Sequence, residues 1–283
     1  MNYYLTITLM FGLSTSCLFS SETLEKVKLL QQQGTTVRRF YKQKLDRKVQ
    51  EGLYLLKKNF AHCHDMWPAV NAALEDKINK VQAAQKAPYI TASSQGFGHR
   101  ALALQELQLS GVNPNTVHVQ FVPQNCFAHN YYDEDMQQYI LSFDNYSAQC
   151  MSKQHFRAAV NHEISHIKKN DHITKKFLFN MLVCSGQNPS AVKNNASWIL
   201  FNHALEHRAD ILPLFKSAQH AQDMLSLMGD FYEQAKAESS EHFMTPSHPS
   251  LEKRYKKMET AVAYIKAEEQ LTSMPFNHKA VEA

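Results

Sequence analysis

Residues 158–167 read Ala158-Ala159-Val160-Asn161-His162-Glu163-Ile164-Ser165-His166-Ile167, and five of them spell H-E-x-x-H. Positions i and i+4 of an α-helix lie on one face, so a helix here sets His162 and His166 side by side and lets both imidazoles reach one metal ion. Glu163 follows the first imidazole and can reach a water bound to such an ion. This is the pattern of zinc-dependent peptide hydrolysis, with Glu163 as general base. The pentapeptide is short, and its surroundings have to supply the rest of the site.

Downstream, Ala204-Leu205-Glu206-His207-Arg208-Ala209-Asp210 carries E-x-x-x-D within a helical pattern. Glu206 can complete a His-His-Glu site that leaves a fourth position for water. Asp210 lies one turn later on the same face, placed to accept the free N–H of a ligand imidazole and fix its tautomer.

These segments resemble the HtpX-like and CAAX prenyl endopeptidase group of gluzincin metallopeptidases. His162-Glu163-Ile164-Ser165-His166-Ile167, followed by Asn170-Asp171, is similar to the group's catalytic helix. Glu206 to Asp210 is similar to its E-x-x-A-D, and Asn125-Cys126-Phe127-Ala128 resembles its N-A-F-A with Cys for the first Ala. His248-Pro249-Ser250-Leu251-Glu252-Lys253-Arg254 resembles its H-P-P-x-x-x-R with Ser250 for the second Pro. The four segments keep the family order and span 125–254; residues 22–90 carry no matching motif. The resemblance implies one Zn²⁺ per chain and a substrate-binding edge at Asn125, Cys126, Phe127 and Ala128. It also implies His248 as a second electrophile beside the metal, with Arg254 as its support. The membrane spans of HtpX itself have no counterpart, which places the chain nearer the soluble or lipid-anchored periplasmic members.

Tyr3 to Leu13 is an apolar run of signal-peptide length, followed by small residues before Cys17. Residues 1–20 are therefore expected to be a signal peptide or lipoprotein leader, although no Lys or Arg precedes the run. The protein is expected to be exported, periplasmic or secreted, touching a membrane only through an anchor at Cys17. No later stretch reaches 18 apolar residues. Cys63, Cys126, Cys150 and Cys184 remain; a Cys126–Cys150 disulfide and four buried thiols are both consistent with the sequence. His62 and His64, at i and i+2, splay apart on a helix and read as surface chemistry. A net charge of +4 gives no case for nucleic acid. The ten Lys and Arg against four Asp and Glu over 22–60 read as a solvated face.

With 44% hydrophobic residues, 8 Gly and 9 Pro, 283 residues can build a sizeable core. The periodicity predicts helices over 22–60, 69–87, 99–109, 153–169, 172–184, 190–213, 217–238 and 248–268, with strands over 117–122 and 138–143. The fold class expected is α+β: a mainly helical zincin-type domain with a small mixed or antiparallel sheet beside the H-E-x-x-H helix. The domain is expected to span 21–270, N-terminal helices (21–90) preceding the catalytic core (91–270), with a tail over 271–283. A strand beside a metal cleft can pair with an extended substrate through its main chain, which makes side-chain specificity loose. The function expected is therefore a zinc metalloendopeptidase acting on extended or misfolded polypeptides, in envelope quality control.

Two alternatives compete. A metzincin would take His172 as third ligand, but that clan needs a turn glycine where this chain has Lys169. A non-catalytic zinc-binding or chaperone-like protein keeping the fold would have no need of Glu163.

Overall fold

Polar caps and chain breakers set most element boundaries in the computed structural model, which describes residues 20–88, 98–124, 126–240 and 244–273. The leader features, Tyr3 to Leu13 and Cys17, lie outside the described residues, as do Asn125 and the tail beyond 273. Helix α1 (Ser21–Gln32) starts on Ser20, whose hydroxyl accepts the Thr23 N–H. Gly34, at φ +66°, separates it from α2 (Val37–Asn59), so the helix expected over 22–60 is two. A 3₁₀ segment (Ala61–Met66) leads into α3 (Trp67–Lys86), which has Pro68 in its first turn, and α4 (His99–Leu109) follows.

Three strands come next: β1 (Val117–Val122), β2 (Ala128–Asp133) and β3 (Gln138–Asp144). Their order is β1-β3-β2, with β1 parallel and β2 antiparallel to β3, so the sheet is mixed. Tyr139 to Phe143 are all buried, which is why β3 takes the centre. β2 was not expected, since Ala-His-Asn-Tyr-Tyr-Asp shows little apolar alternation. The turn before β3 makes it a strand: Asp133 Oδ1 accepts the Asp135 and Met136 N–H groups at 2.9 Å each, and Gln137 takes φ 52°.

The remaining helices are α5 (Asn145–Cys150), α6 (Lys153–Lys169), α7 (Asp171–Cys184), α8 (Pro189–Lys193), α9 (Ala196–Ile211), α10 (Ala218–Ala237) and α11 (Leu251–Ser273). Asp144, Ser152, Asn188, Asn195 and Ser217 cap five of them with side-chain oxygens. Asn195 starts α9 afresh, and thereby splits the helix expected over 190–213. The molecule is mostly helical with one small sheet, an α+β arrangement.

The helix carrying H-E-x-x-H, α6, is buried along most of its length. Phe156, Val160, Ile164 and Ile167 pack with Leu107 of α4, Val119 of β1, and Leu141 and Phe143 of β3. Each such side chain contributes about 1.5–3 kcal/mol by leaving water. A second apolar cluster (Leu56, Trp67, Leu178, Leu182, Phe201 and Leu205) holds α9 against α2 and α7. Polar bonds fix the register of α6. Buried Glu106 accepts from Asn161 Nδ2 at 3.0 Å and pairs with His220 Nε2 at 3.1 Å, and Lys216 donates to Asn161. Arg157 pairs with buried Asp223 at 2.5 Å.

Contacts divide the described residues into two units, one within 38–262 and a smaller one made of 20–37 with 263–273. In the smaller unit Val27, Val37 and Ala267 are buried, and Glu268 accepts the Val37 N–H at 2.8 Å. Cys63, Cys126, Cys150 and Cys184 are all free, which removes the Cys126–Cys150 disulfide; Cys63 alone is buried, so four buried thiols are not found either. Among the described residues no helix is long and apolar enough to cross a membrane.

Candidate metal centre

Residue spacing on α6 and α9 brings the site together. His162 and His166 stand one turn apart on α6, with Nε2 atoms 3.2 Å from each other. Glu206 of α9 faces them: Oε2 lies 3.4 Å from His162 Nε2 and Oε1 3.5 Å from His166 Nε2. The three donor atoms fall within 4.8 Å of one another, the only such grouping of His, Cys, Asp and Glu among the described residues. His62 Nε2 faces Gln187, and His64 is exposed.

Each imidazole is held from behind by a carboxylate. His162 Nδ1 donates to Asp210 Oδ1 at 3.0 Å, and His166 Nδ1 donates to Asp171 Oδ2 at 2.8 Å. Both Nε2 atoms then face Glu206, the side on which a metal would be bound. Guanidiniums brace these carboxylates. Arg254 binds Asp210 through Nε at 2.9 Å and Nη2 at 2.6 Å, and Arg208 binds Asp171 while reaching Asp46 at 3.3 Å. Arg254, expected to support His248, supports Asp210. Asp171 entered the sequence reading only within the Asn170-Asp171 of the resemblance, without a role, and Arg208 had none either. The signal for Asp171 was its place just past the end of α6, where left-handed Asn170 (φ 53°) turns the chain back on His166.

Four carboxylates (Glu163, Asp171, Glu206 and Asp210) thus surround two imidazoles and two guanidiniums, and the surplus is anionic. Burial works to lower the His166 pKa, but Glu206 and then Asp171 outweigh it and push it up to about 10. His162 is raised in the same way by Asp210 and Glu206. For Glu206, burial acts upward, yet the two imidazoles hold its carboxyl well below the usual range. Glu206 Oε2 is also a buried oxygen without a hydrogen-bond partner. A carboxylate oxygen left so, beside two imidazole Nε2 atoms, fits a bound cation that would take the place of the imidazole protons.

Glu163 follows His162 toward the same cleft, and Asn130 Nδ2 of β2 donates to its Oε2 at 2.6 Å. The cleft, about 370 Å³, is lined by Cys126, Phe127, Ala128, Asn130, Glu163 and His248, with Met224, Leu227, Met228 and Phe231 of α10 as an apolar wall. Half-exposed His248 places Nε2 3.5 Å from Glu206 Oε2, beside the three-residue cluster rather than in it. Cys126, Phe127 and Ala128 lead into β2, an edge strand. The Asp144 N–H donates to Phe127 C=O at 2.8 Å, so in this antiparallel ladder the main-chain groups of Ala128 and Asn130 face away from β3. That free edge stops at Tyr132, whose N–H donates to His172 Nδ1 at 3.1 Å. His172, the third ligand in the metzincin alternative, is committed to the strand; burial, then Lys175 and Lys176, push its pKa down to about 4, which keeps it an acceptor.

Comparison with protein-family models, with curated proteins and with solved structures finds no match to this chain.

Proposed function

We propose that this chain is a zinc-dependent metalloendopeptidase of gluzincin type, hydrolysing peptide bonds in extended or misfolded polypeptides. The observation that carries the proposal is the convergence of His162, His166 and Glu206 on the floor of a cleft with Glu163 beside them. Two imidazoles and one carboxylate from two rigid helices are a donor set suited to zinc. The motif resemblance over 125–254 supports the same reading.

Zinc bound there would lower the pKa of a water toward ~7 and polarise the scissile carbonyl. Glu163 is placed to serve as general base toward an attacking water and then as general acid toward the leaving amine. Asn130 occupies Glu163 Oε2 and leaves Oε1 for the proton. Asp210 and Asp171 keep the imidazoles aimed; Arg254 holds the Asp210 carboxyl well below the usual range against its burial, and Arg208 pairs with Asp171. His248, on the rim, is positioned to donate to the carbonyl oxygen as it becomes negative, a contribution whose loss typically costs about 10²–10³ in rate. The free groups of Ala128 and Asn130 can pair with an extended substrate backbone, and the wall of α10 would take an apolar side chain. Export, with an anchor at Cys17, would place this activity in envelope quality control.

The test is zinc content and casein cleavage for wild type and Glu163→Gln. The variant is expected to keep one zinc and its fold while losing at least ~10³ in rate, because water activation goes and every ligand stays. Equal activity in the two purified proteins would refute the peptidase reading.

A further inference from the structure

Helix α9 has a second working face. Glu206 and Asp210 point to the metal centre, whereas His203, His207 and Ile211, at i, i+4 and i+8, share another side with Leu200 and Ala204. That side walls a separate cavity of about 520 Å³ with Tyr41, Leu45, Gly52 and Leu55 of α2, and with Pro249 and Thr260. The volume lies in the range of about 300–1,000 Å³ usual for small-molecule sites.

Its charge is one-sided. Lys44, Lys48, Lys253 and Lys257 line it, and Glu51 is the one carboxylate among its lining residues. Glu51 pairs with Lys48 at 2.9 Å. Lys44, Lys253 and Lys257 have no carboxylate partner among the described residues; Lys44 lies over the Phe40 and Tyr41 rings and Lys253 reaches the Met244 sulfur. Burial, opposed by Asp210 and reinforced by Lys44, Lys48 and Lys253, pushes Lys257 down to about 8. His207 Nδ1, also in the wall, is buried without a hydrogen-bond partner. An apolar floor, three unpaired ammonium groups and an unsatisfied imidazole nitrogen suit a ligand with one charged end and one apolar end.

We propose that this cavity binds an amphipathic anion, an acidic head group on a single apolar chain, at a site distinct from the metal centre. The head group lies among Lys44, Lys253 and Lys257, and the chain packs along Leu45, Leu55, Leu200 and Ile211. Occupancy is sensed by the segment before α11, because Pro249 is part of the wall and His203 Nε2 bonds Thr245 C=O at 2.9 Å. The proposal does not depend on the peptidase reading.

The experiment is calorimetric titration of the full chain with monomeric dodecanoate and with dodecyl phosphate, against uncharged dodecyl maltoside and chain-less acetate. Either anion is expected to bind at least ~10-fold more tightly than both controls, and Lys44→Met/Lys257→Met to weaken it ~10-fold or more, as loss of charge-assisted contacts implies. The two anions tell carboxylate from phosphate preference. Hydrogen exchange of wild type with dodecanoate is the second measurement, independent of how the double variant folds: protection is expected over residues 44–55 and 245–249. Maltoside binding as tight as the anions, an unchanged affinity in the folded double variant, or protection confined to β2 and α10 would each overturn the proposal.

Discussion

Asn130 is the residue that most alters the picture of the general base. Glu163 could reach a metal-bound water from α6 alone, yet its Oε2 is tied to β2 by the 2.6 Å bond from Asn130. Asn130→Ala is expected to leave zinc stoichiometry intact and to lower kcat about 10–100-fold with little change in KM, the range seen when a partner that orients a metal-site group is lost. An unchanged kcat in the zinc-loaded variant would make Asn130 merely structural. Arg254 is a different case. It sits against Asp210, which is 1% exposed, and removing it leaves that buried charge with the His162 N–H and no cationic side chain of its own. Arg254→Met is expected to cost about 3–5 kcal/mol. Urea unfolding of chelator-treated protein measures this apart from metal loss, and a cost under about 1 kcal/mol would mean that Asp210 does not need its partner.

At the scale of elements, the β2 edge determines what the cleft can accept. Ala128 and Asn130 offer main-chain groups while His172 closes the strand at Tyr132, so recognition runs through an unfolded backbone. Reduced, unfolded substrate is accordingly expected to be cut faster than its native form, and faster cleavage of the compact form would reject edge pairing. The same strand shows where sequence reading stopped. Helices α4 and α6 and strand β1 match their periodic segments from end to end, because apolar spacing and caps such as Ser152 are local signals. β2 is polar, half-buried and defined by pairing with β3, a non-local condition, and Asn130 went unseen with it. The break expected between the helices over 153–169 and 172–184 is found at Asn170, one of the few residue types that tolerate φ > 0, and Tyr139 fixes it by a 2.9 Å bond to its side chain. Metal-ligand candidates were legible because i, i+4 spacing is intrinsic to a helix; Asp171 and Arg208 were not, because their roles come from how separate helices meet.

For the molecule as a whole, the decisive fact is that the proposed ligands come from two helices far apart in sequence, α6 and α9, inside the unit formed by residues 38–262. An ion bound there would cross-link the core, and a ligand that binds only the folded state stabilises it in proportion to the logarithm of its concentration. Zinc at 100 times its Kd adds about 2.7 kcal/mol. For a unit of this size each kcal/mol moves Tm by roughly 2–4 °C, so chelation is expected to lower Tm by about 5–10 °C. The increment also identifies the third ligand. Glu206→Ala should abolish the zinc-dependent part of Tm, Asp210→Ala should reduce it, and His172→Ala should keep it even if β2 loses some stability. Calorimetric scans with and without chelator measure all four proteins. A zinc increment that survives in Glu206→Ala and vanishes in His172→Ala would transfer the third ligand to α7, against a structure in which the His172 ring nitrogen is already bonded to the backbone of Tyr132.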